Sequence, residues 1–325
     1  MIGCGNHVVK NILRCFPETG PRRIVSIYVR RAKHYRAAHP ALADVFTDDL
    51  DALLVNPRVD VVYVATPIST HFDYASAALN AGKHVWCEKP LTDTLDHTRA
   101  LVELAETRGL LIGEMAMYRS HAQFSWVRGL IADKAAAGER LIGARARFSI
   151  PELPPTDIRY RCDLAGGALL DVGYYPLSAG VALFGPPRAV LAVGHVSHDF
   201  GVDLSGQALL AYDGFSWSAT WAIGASYVNE MELSFERSTY VVPRAFAKPA
   251  DLATQVRVIG PFGQDEPPVY IAPDDQFERL FQKFADAIQA GDRDAFRRMG
   301  QEAAATAEVL QTIHNTIHAT AGEQH

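Results

Sequence analysis

The sequence predicts an α/β protein in two parts: an N-terminal doubly wound domain on a parallel sheet, then an α+β domain with an open, mostly antiparallel sheet. Three observations predict it. Up to Glu114, short apolar runs alternate with runs of helical period, the βαβ pattern. From Ala189 to Ile271 the chain shows strand-like alternation with no helices between. The 325 residues suffice for about two domains.

Composition narrows the class. Hydrophobic residues make up 48% and charged residues 21%, as in ordinary soluble globular proteins. The net charge of −6 argues against nucleic-acid binding, which leaves a basic footprint. No apolar run approaches about 18 residues, so no membrane-spanning helix is expected. Met1-Ile2-Gly3 has no signal-peptide architecture. Cys4, Cys15, Cys87 and Cys162 show neither CxxC pairing nor metal-ligand spacing, and read as reduced thiols of a cytoplasmic enzyme.

In the first part, strands are predicted at 24–29, 61–65, 84–87 and 110–112, and helices at 8–15, 31–38, 50–54, 72–81 and 95–108. Gly3-Cys4-Gly5-Asn6-His7 occupies the first turn, where two glycines let backbone approach a pyrophosphate at a helix N-terminus. The third fingerprint position, normally Gly or Ala, is Val8, which would loosen or displace the first helix. Only Met1 and Ile2 precede Gly3, against about five or six residues for an ordinary strand, so a first strand that begins upstream of Met1 is expected. The second strand ends in Tyr28-Val29-Arg30-Arg31, without the acid that would take a ribose hydroxyl. Two guanidiniums suit a 2′-phosphate, so NADP(H) is favoured over NAD(H). Thr66 and Pro67 end the next strand in a turn facing the cofactor, and His71 opens the following helix. The strand at 84–87 ends in Glu88-Lys89-Pro90. Ligands bind at the carboxyl ends of strands in open α/β sheets, and a following proline restricts the backbone, so Lys89 reads as a reactive group.

The chain resembles the Gfo/Idh/MocA (glucose–fructose oxidoreductase) family of NAD(P)-dependent enzymes. Gly3-Cys4-Gly5-Asn6, Ala65-Thr66-Pro67 with His71, Ala81-Gly82-Lys83-His84-Val85 and Glu88-Lys89-Pro90 carry the resemblance in the family's order and spacing. It implies a Rossmann dinucleotide-binding domain over 1–115, and a substrate-binding and oligomerisation domain over 116–325 whose last helices pack back. Met117-Tyr118-Arg119-Ser120-His121 resembles the segment that leaves the first domain. It departs from the branch pattern Met-Tyr-Arg-Phe-His-Pro at Ser120 and Ala122. That branch holds sugar 3-ketoreductases and dihydrodiol and xylose dehydrogenases.

In the second part, a helix is predicted from Gly167 to Phe184, ended by Gly185. Asp171 and Tyr175 are four residues apart, share one helical face and suggest a common polar destination. The resemblance places such a pair beside the nicotinamide and the strand-end lysine. Gly166 and Gly167 permit close backbone approach ahead of this helix. Tyr118, Arg119, Arg159 and Tyr160 are expected on the substrate side, with Arg161 a further cation for an anionic substrate. Strands are predicted at 191–196, 207–212, 216–222, 231–235, 240–242 and 255–259, then helices from Asp275 through Ile288 and over 302–317. The aromatics Phe215, Trp217 and Trp221 read as packing. His195, His198 and Asp199 have no further ligand in sight, so no metal is expected.

The resemblance implies an NADPH-dependent reductase of a keto group on a nucleotide-linked sugar. Tyr175 would give the proton, Lys89 would stabilise the alkoxide and lower the tyrosine pKa, and Asp171 would orient. An aldose or dihydrodiol dehydrogenase is the alternative, and a non-catalytic dinucleotide-binding regulator the second. A homo-oligomer through the free sheet face is implied, with no nucleic-acid or membrane partner.

Overall fold

The computed structural model describes residues 1–17 and 22–322, with side chains to residue 319. It divides into two compact units: Met1–Met115 with Leu280–Ala304, and Ala116–Arg279 with the chain from Ala305 onward.

In the first unit, β1 (Ile27–Tyr28) pairs in parallel with β2 (Phe46–Thr47). A second parallel set joins β3 (Val61–Val64), β4 (His84–Cys87) and β5 (Ile112–Glu114). Ile2 makes parallel bridges to both Tyr28 and Val64, and so connects the two sets. With Ile2 counted as the first strand, the order is 3-2-1-4-5-6, and the direction of winding switches between Ile2 and β3. Helices α1 (Ala32–Ala38), α2 (Leu50–Val55), α3 (His71–Asn80) and α4 (Leu95–Arg108) fill the crossovers. The strands are apolar because both faces are covered; Ile2, Val62, Val64, Val85 and Ile112 pack with Leu53, Leu79 and Leu101. α4 shows local chemistry setting an element's length: the Thr94 side chain accepts from His97 N at its start, and Gly109 ends it at φ 66°. The first helical segment is the irregular one. It is a π turn over Val8–Ile12 followed by a 3₁₀ turn over Leu13–Cys15, with Val8 fully buried.

The second unit begins with α5 (Ala122–Ala136), β6 (Leu141–Ile150) and, after a loop, α6 (Tyr174–Phe184). The strands β7 (Ala189–Val196), β8 (Asp203–Ala211), β9 (Ser216–Ile223), β10 (Val228–Phe235), β11 (Thr239–Pro243), β12 (Thr254–Ile259) and β13 (Asp265–Ile271) follow. The eight-stranded sheet has the order β13-β12-β11-β10-β6-β9-β8-β7, antiparallel except for the parallel β6–β9 pair. Two helices, α7 (Gln276–Ala290) and α8 (Arg293–Gly322), end the described chain. Alternation gives the sheet two characters. Trp217, Ala219 and Trp221 of β9 and Met231 and Leu233 of β10 are buried on one face. On the other, Arg145 pairs with Glu232 at 2.7 Å and Arg147 with Glu230 at 2.5 Å. Leu191 and Val193 of β7 are 68% and 67% exposed. By length and composition the stretch Cys162–Phe184 is apolar enough to cross a membrane, but 78% of it is buried inside the protein, as befits a core helix.

Candidate active site

The carboxyl edge of the first sheet gathers most of the residues singled out for the cofactor. Gly3 stands at φ +92°, and a Cβ there would lie 2.4 Å from the Ala65 carbonyl oxygen, so only glycine fits this crossing of two strand ends. Among the described residues, a Cβ on Gly5 would meet nothing within 4 Å, so their packing does not explain that glycine. Asn6 and His7 are exposed beside it. Arg30 and Arg31 are exposed directly after β1.

Glu88 ties this edge together. His7 Nε2 lies 3.3 Å from its Oε1, and the Tyr63 hydroxyl donates a short hydrogen bond to the same oxygen. Burial pushes the Glu88 carboxyl up, but His7, the Tyr63 hydrogen bond and Lys89 together hold it below its ordinary value. Lys89 follows, half-buried, and the Lys89–Pro90 peptide is cis. Leu91 N donates to Glu114 Oε1 at 2.8 Å, which pins the turn beyond the proline to the end of β5. The buried His71 places one ring nitrogen 3.0 Å from the Thr66 carbonyl and the other 3.0 Å from the Pro90 carbonyl. It thereby joins the turn after β3 to the turn after β4. Burial pushes its pKa down, so the ring is neutral and donates from one nitrogen only. Thr66 takes a hydrogen bond from the Thr70 hydroxyl at 2.8 Å. A separate cavity of about 560 Å³, lined by Met1, Phe16, Arg58, Asp60, Trp86 and Ile288, opens toward the amino ends of these strands and is not part of this edge.

The second unit carries the acid and the phenol on one helical stretch. It opens as a π turn over Leu169–Gly173 and continues as α6 to Phe184, where Gly185 ends it as expected. Asp171 accepts from Arg159 Nε at 2.5 Å, and Arg159 also donates to Asp157 at 3.1 Å. The Asp171 charge is the main reason the guanidinium is held well above its ordinary range. The Tyr175 hydroxyl lies 3.9 Å from Met117 Sδ. Its ring packs against Tyr118, Phe148 and Phe246. Tyr118 is fully buried and its hydroxyl meets Ser178 Oγ at 2.7 Å. Arg119 donates to Tyr118 Oη at 3.2 Å and to Thr306 Oγ1 at 3.3 Å. Tyr160 is buried, stacks on Phe200 at 4.5 Å, and its hydroxyl accepts from Leu153 N at 3.1 Å. Arg161 is exposed and paired with Asp163. Among the described residues, no three His, Cys, Asp or Glu side chains are grouped to hold a metal ion.

Sequence reasoning missed Tyr63, Glu114, Asp157 and Asp203. Asp157 lies two residues from Arg159 and was within reach of local argument. The others meet partners 23 to 34 residues away, as Leu91–Glu114, Tyr63–Glu88 and Leu169–Asp203 do.

A doubly wound domain with a glycine-turned, lysine-bearing carboxyl edge, followed by an open-sheet domain, defines a nicotinamide-dinucleotide oxidoreductase. The chain belongs to the Gfo/Idh/MocA family: the model for its NAD-binding Rossmann oxidoreductase domain matches residues 1–115 and that for its C-terminal domain matches 112–241. It is 34% identical over 329 aligned positions to the dTDP-3,4-didehydro-2,6-dideoxy-α-D-glucose 3-reductase of Streptomyces violaceoruber, covering 97% of this chain and 94% of that protein. It is 30% identical to D-xylose 1-dehydrogenase (NADP(+)) 2 of Haloferax volcanii, covering 82% and 80%. Among solved structures it resembles a 3-ketoreductase from Actinomadura kijaniata in complex with NADP and TDP-benzene, with a TM-score of 0.86, 30% identity and 96% of each chain covered.

Proposed function

We propose that this protein is an NADPH-dependent reductase acting on a keto group of a nucleotide-linked sugar. The observation that carries the reading is the first unit's carboxyl edge, with two exposed arginines after β1, in a chain 34% identical across 97% of its length to a dTDP-keto-sugar 3-reductase. The edge suits the dinucleotide. Gly3, Gly5, Asn6 and His7 would take its pyrophosphate. Arg30 and Arg31 would take the 2′-phosphate, since planar guanidiniums match phosphate oxygens. Thr66, Pro67, His71, Glu88 and Lys89 would line its nicotinamide half.

When bound, NADPH supplies the hydride. Tyr175 gives its phenolic proton to the oxygen of the reduced carbonyl, and the Lys89 ammonium stabilises the charge that develops there. The Arg159–Asp171 pair holds the acid in one orientation toward the sugar hydroxyls. Tyr118, Arg119 and Tyr160 support the substrate side. Run backward, the same groups oxidise a secondary alcohol.

One observation favours a second reading, an aldose or dihydrodiol dehydrogenase. Arg159 and Arg161 are both engaged by carboxylates, which lowers the net positive charge they offer a diphosphate. The xylose dehydrogenase relative points the same way. The exposed Leu191 and Val193 on the free sheet face support a homo-oligomer. The reading places the enzyme in the cytoplasm, where NADPH is maintained. The test is a side-by-side assay of NADPH oxidation with a dTDP-linked keto sugar and of NADP reduction with free aldoses. Faster turnover of the keto sugar supports the first reading, and turnover of aldoses alone supports the second.

A further inference from the structure

We propose that Asp203 is a positioning residue for the reaction, seating the helix that presents Asp171 and Tyr175. The proposal rests on the functional reading above for the meaning of those two side chains, and on geometry for the rest.

The helical stretch has no capping side chain of its own at Ala168. Its first amide, Leu169 N, instead donates to Asp203 Oδ2 at 2.8 Å, across 34 residues of sequence. The same oxygen takes Trp221 Nε1 at 3.2 Å. The other carboxylate oxygen faces the turn into the helix: a Cβ on Gly167, which stands at φ +110°, would lie 2.5 Å from Asp203 Oδ1. Only glycine lets the chain pass here. Trp221 extends the seat. A Cβ on Gly206 would come within 2.3 Å of its ring, and one on Gly173 within 3.0 Å. Thus the β8 carboxylate meets the helix two residues before Asp171, and the β9 indole meets it two residues before Tyr175. Farther along, Trp217 Nε1 donates to the Pro176 carbonyl at 2.9 Å, and a Cβ on Gly180 would lie 3.0 Å from its ring. A carboxylate buried in an apolar core is costly unless it is hydrogen-bonded, and both bonds given to Asp203 Oδ2 come from this region. Here they anchor the first turn of a helix that opens as a π turn. Proton transfer needs placement within a few tenths of an ångström, and loss of about 1 Å costs roughly 10²-fold in rate.

The test uses Asp203→Asn, which keeps the shape and removes the charge, and Trp221→Phe, which keeps most of the ring and removes the donor. Two measurements are made on each full-length variant: amide hydrogen exchange across 167–176, and steady-state kinetics with NADPH binding measured separately. The expected result is faster exchange confined to that stretch in both variants, with kcat reduced about 10-fold or more and NADPH affinity unchanged. Unchanged exchange across 167–176, or faster exchange with an unaltered kcat, would overturn the proposal. If the wild-type protein turns over no sugar at all, the functional reading fails on its own, and the exchange measurement alone decides whether Asp203 seats the helix.

Discussion

Arg159 Nε donates to Asp171 Oδ2 at 2.5 Å, so the acid that shares a helix with Tyr175 is held by a guanidinium from the preceding loop. Both side chains are half-buried. In this setting the pair acts as one unit, and the variants Arg159→Ala and Asp171→Asn should not add. A double-mutant cycle on kcat/KM should give a coupling of about 1 kcal/mol or more. Additive effects would mean that the two groups serve separate ends.

Lys89 and Tyr175 are assigned the charge and the proton. Lys89→Met and Tyr175→Phe should each lower kcat by at least about 10²-fold, while NADPH affinity stays near the wild-type value. Nicotinamide fluorescence measures the binding and single-turnover absorbance the rate. Near-wild-type rates in both variants would remove the acid–base assignment.

The crossing of Gly3 over Ala65 leaves no room for a methyl group. Gly3→Ala should cost about 1–3 kcal/mol of stability and abolish tight dinucleotide binding. Replacing Arg30 and Arg31 together by Ser should act differently. It should leave the melting temperature unchanged and weaken NADPH about 10- to 100-fold through lost charged hydrogen bonds, with NADH unaffected. Equal loss for both dinucleotides would contradict the 2′-phosphate assignment.

Burial pushes the Asp203 carboxyl up to about 6. A carboxyl raised on folding binds its proton more tightly in the folded state. Its contribution to stability is complete below the unfolded value of about 4 and is lost as pH rises through about 6. Asn does not titrate. The difference in melting temperature, Asp203→Asn minus wild type, should therefore become more positive between about pH 5 and about pH 8. Calorimetry at the two pH values checks this, and a flat difference would count against a buried, raised carboxyl.

Much of the first domain was legible because its signals are local. Lys89 stands where an apolar strand stops, and Gly3 stands where a strand turns into a helix. The first strand was not legible in its observed form, a pair of isolated parallel bridges from Ile2 to Tyr28 and Val64. In the second part β6 escaped notice. Its inward residues include the small Ala144 and Ala146, and its outward Arg145 and Arg147 are answered by Glu232 and Glu230 on β10, a register invisible to a single run. β13 was hidden by Pro267 and Pro268, which an edge strand tolerates and a central one does not. The shared face of Asp171 and Tyr175 was inferred from α-helical spacing. The π turn over Leu169–Gly173 and the hydrogen bond from Arg159 to Asp171 lie outside what that spacing could give.

The most direct test of the functional claim is to mix purified protein with NADPH and a dTDP-linked 3-keto-6-deoxyhexose and follow the loss of nicotinamide absorbance. The account predicts sugar-dependent oxidation of NADPH, abolished by Tyr175→Phe and much slower with NADH. No oxidation with the keto sugar, in protein that binds NADPH tightly, would contradict it.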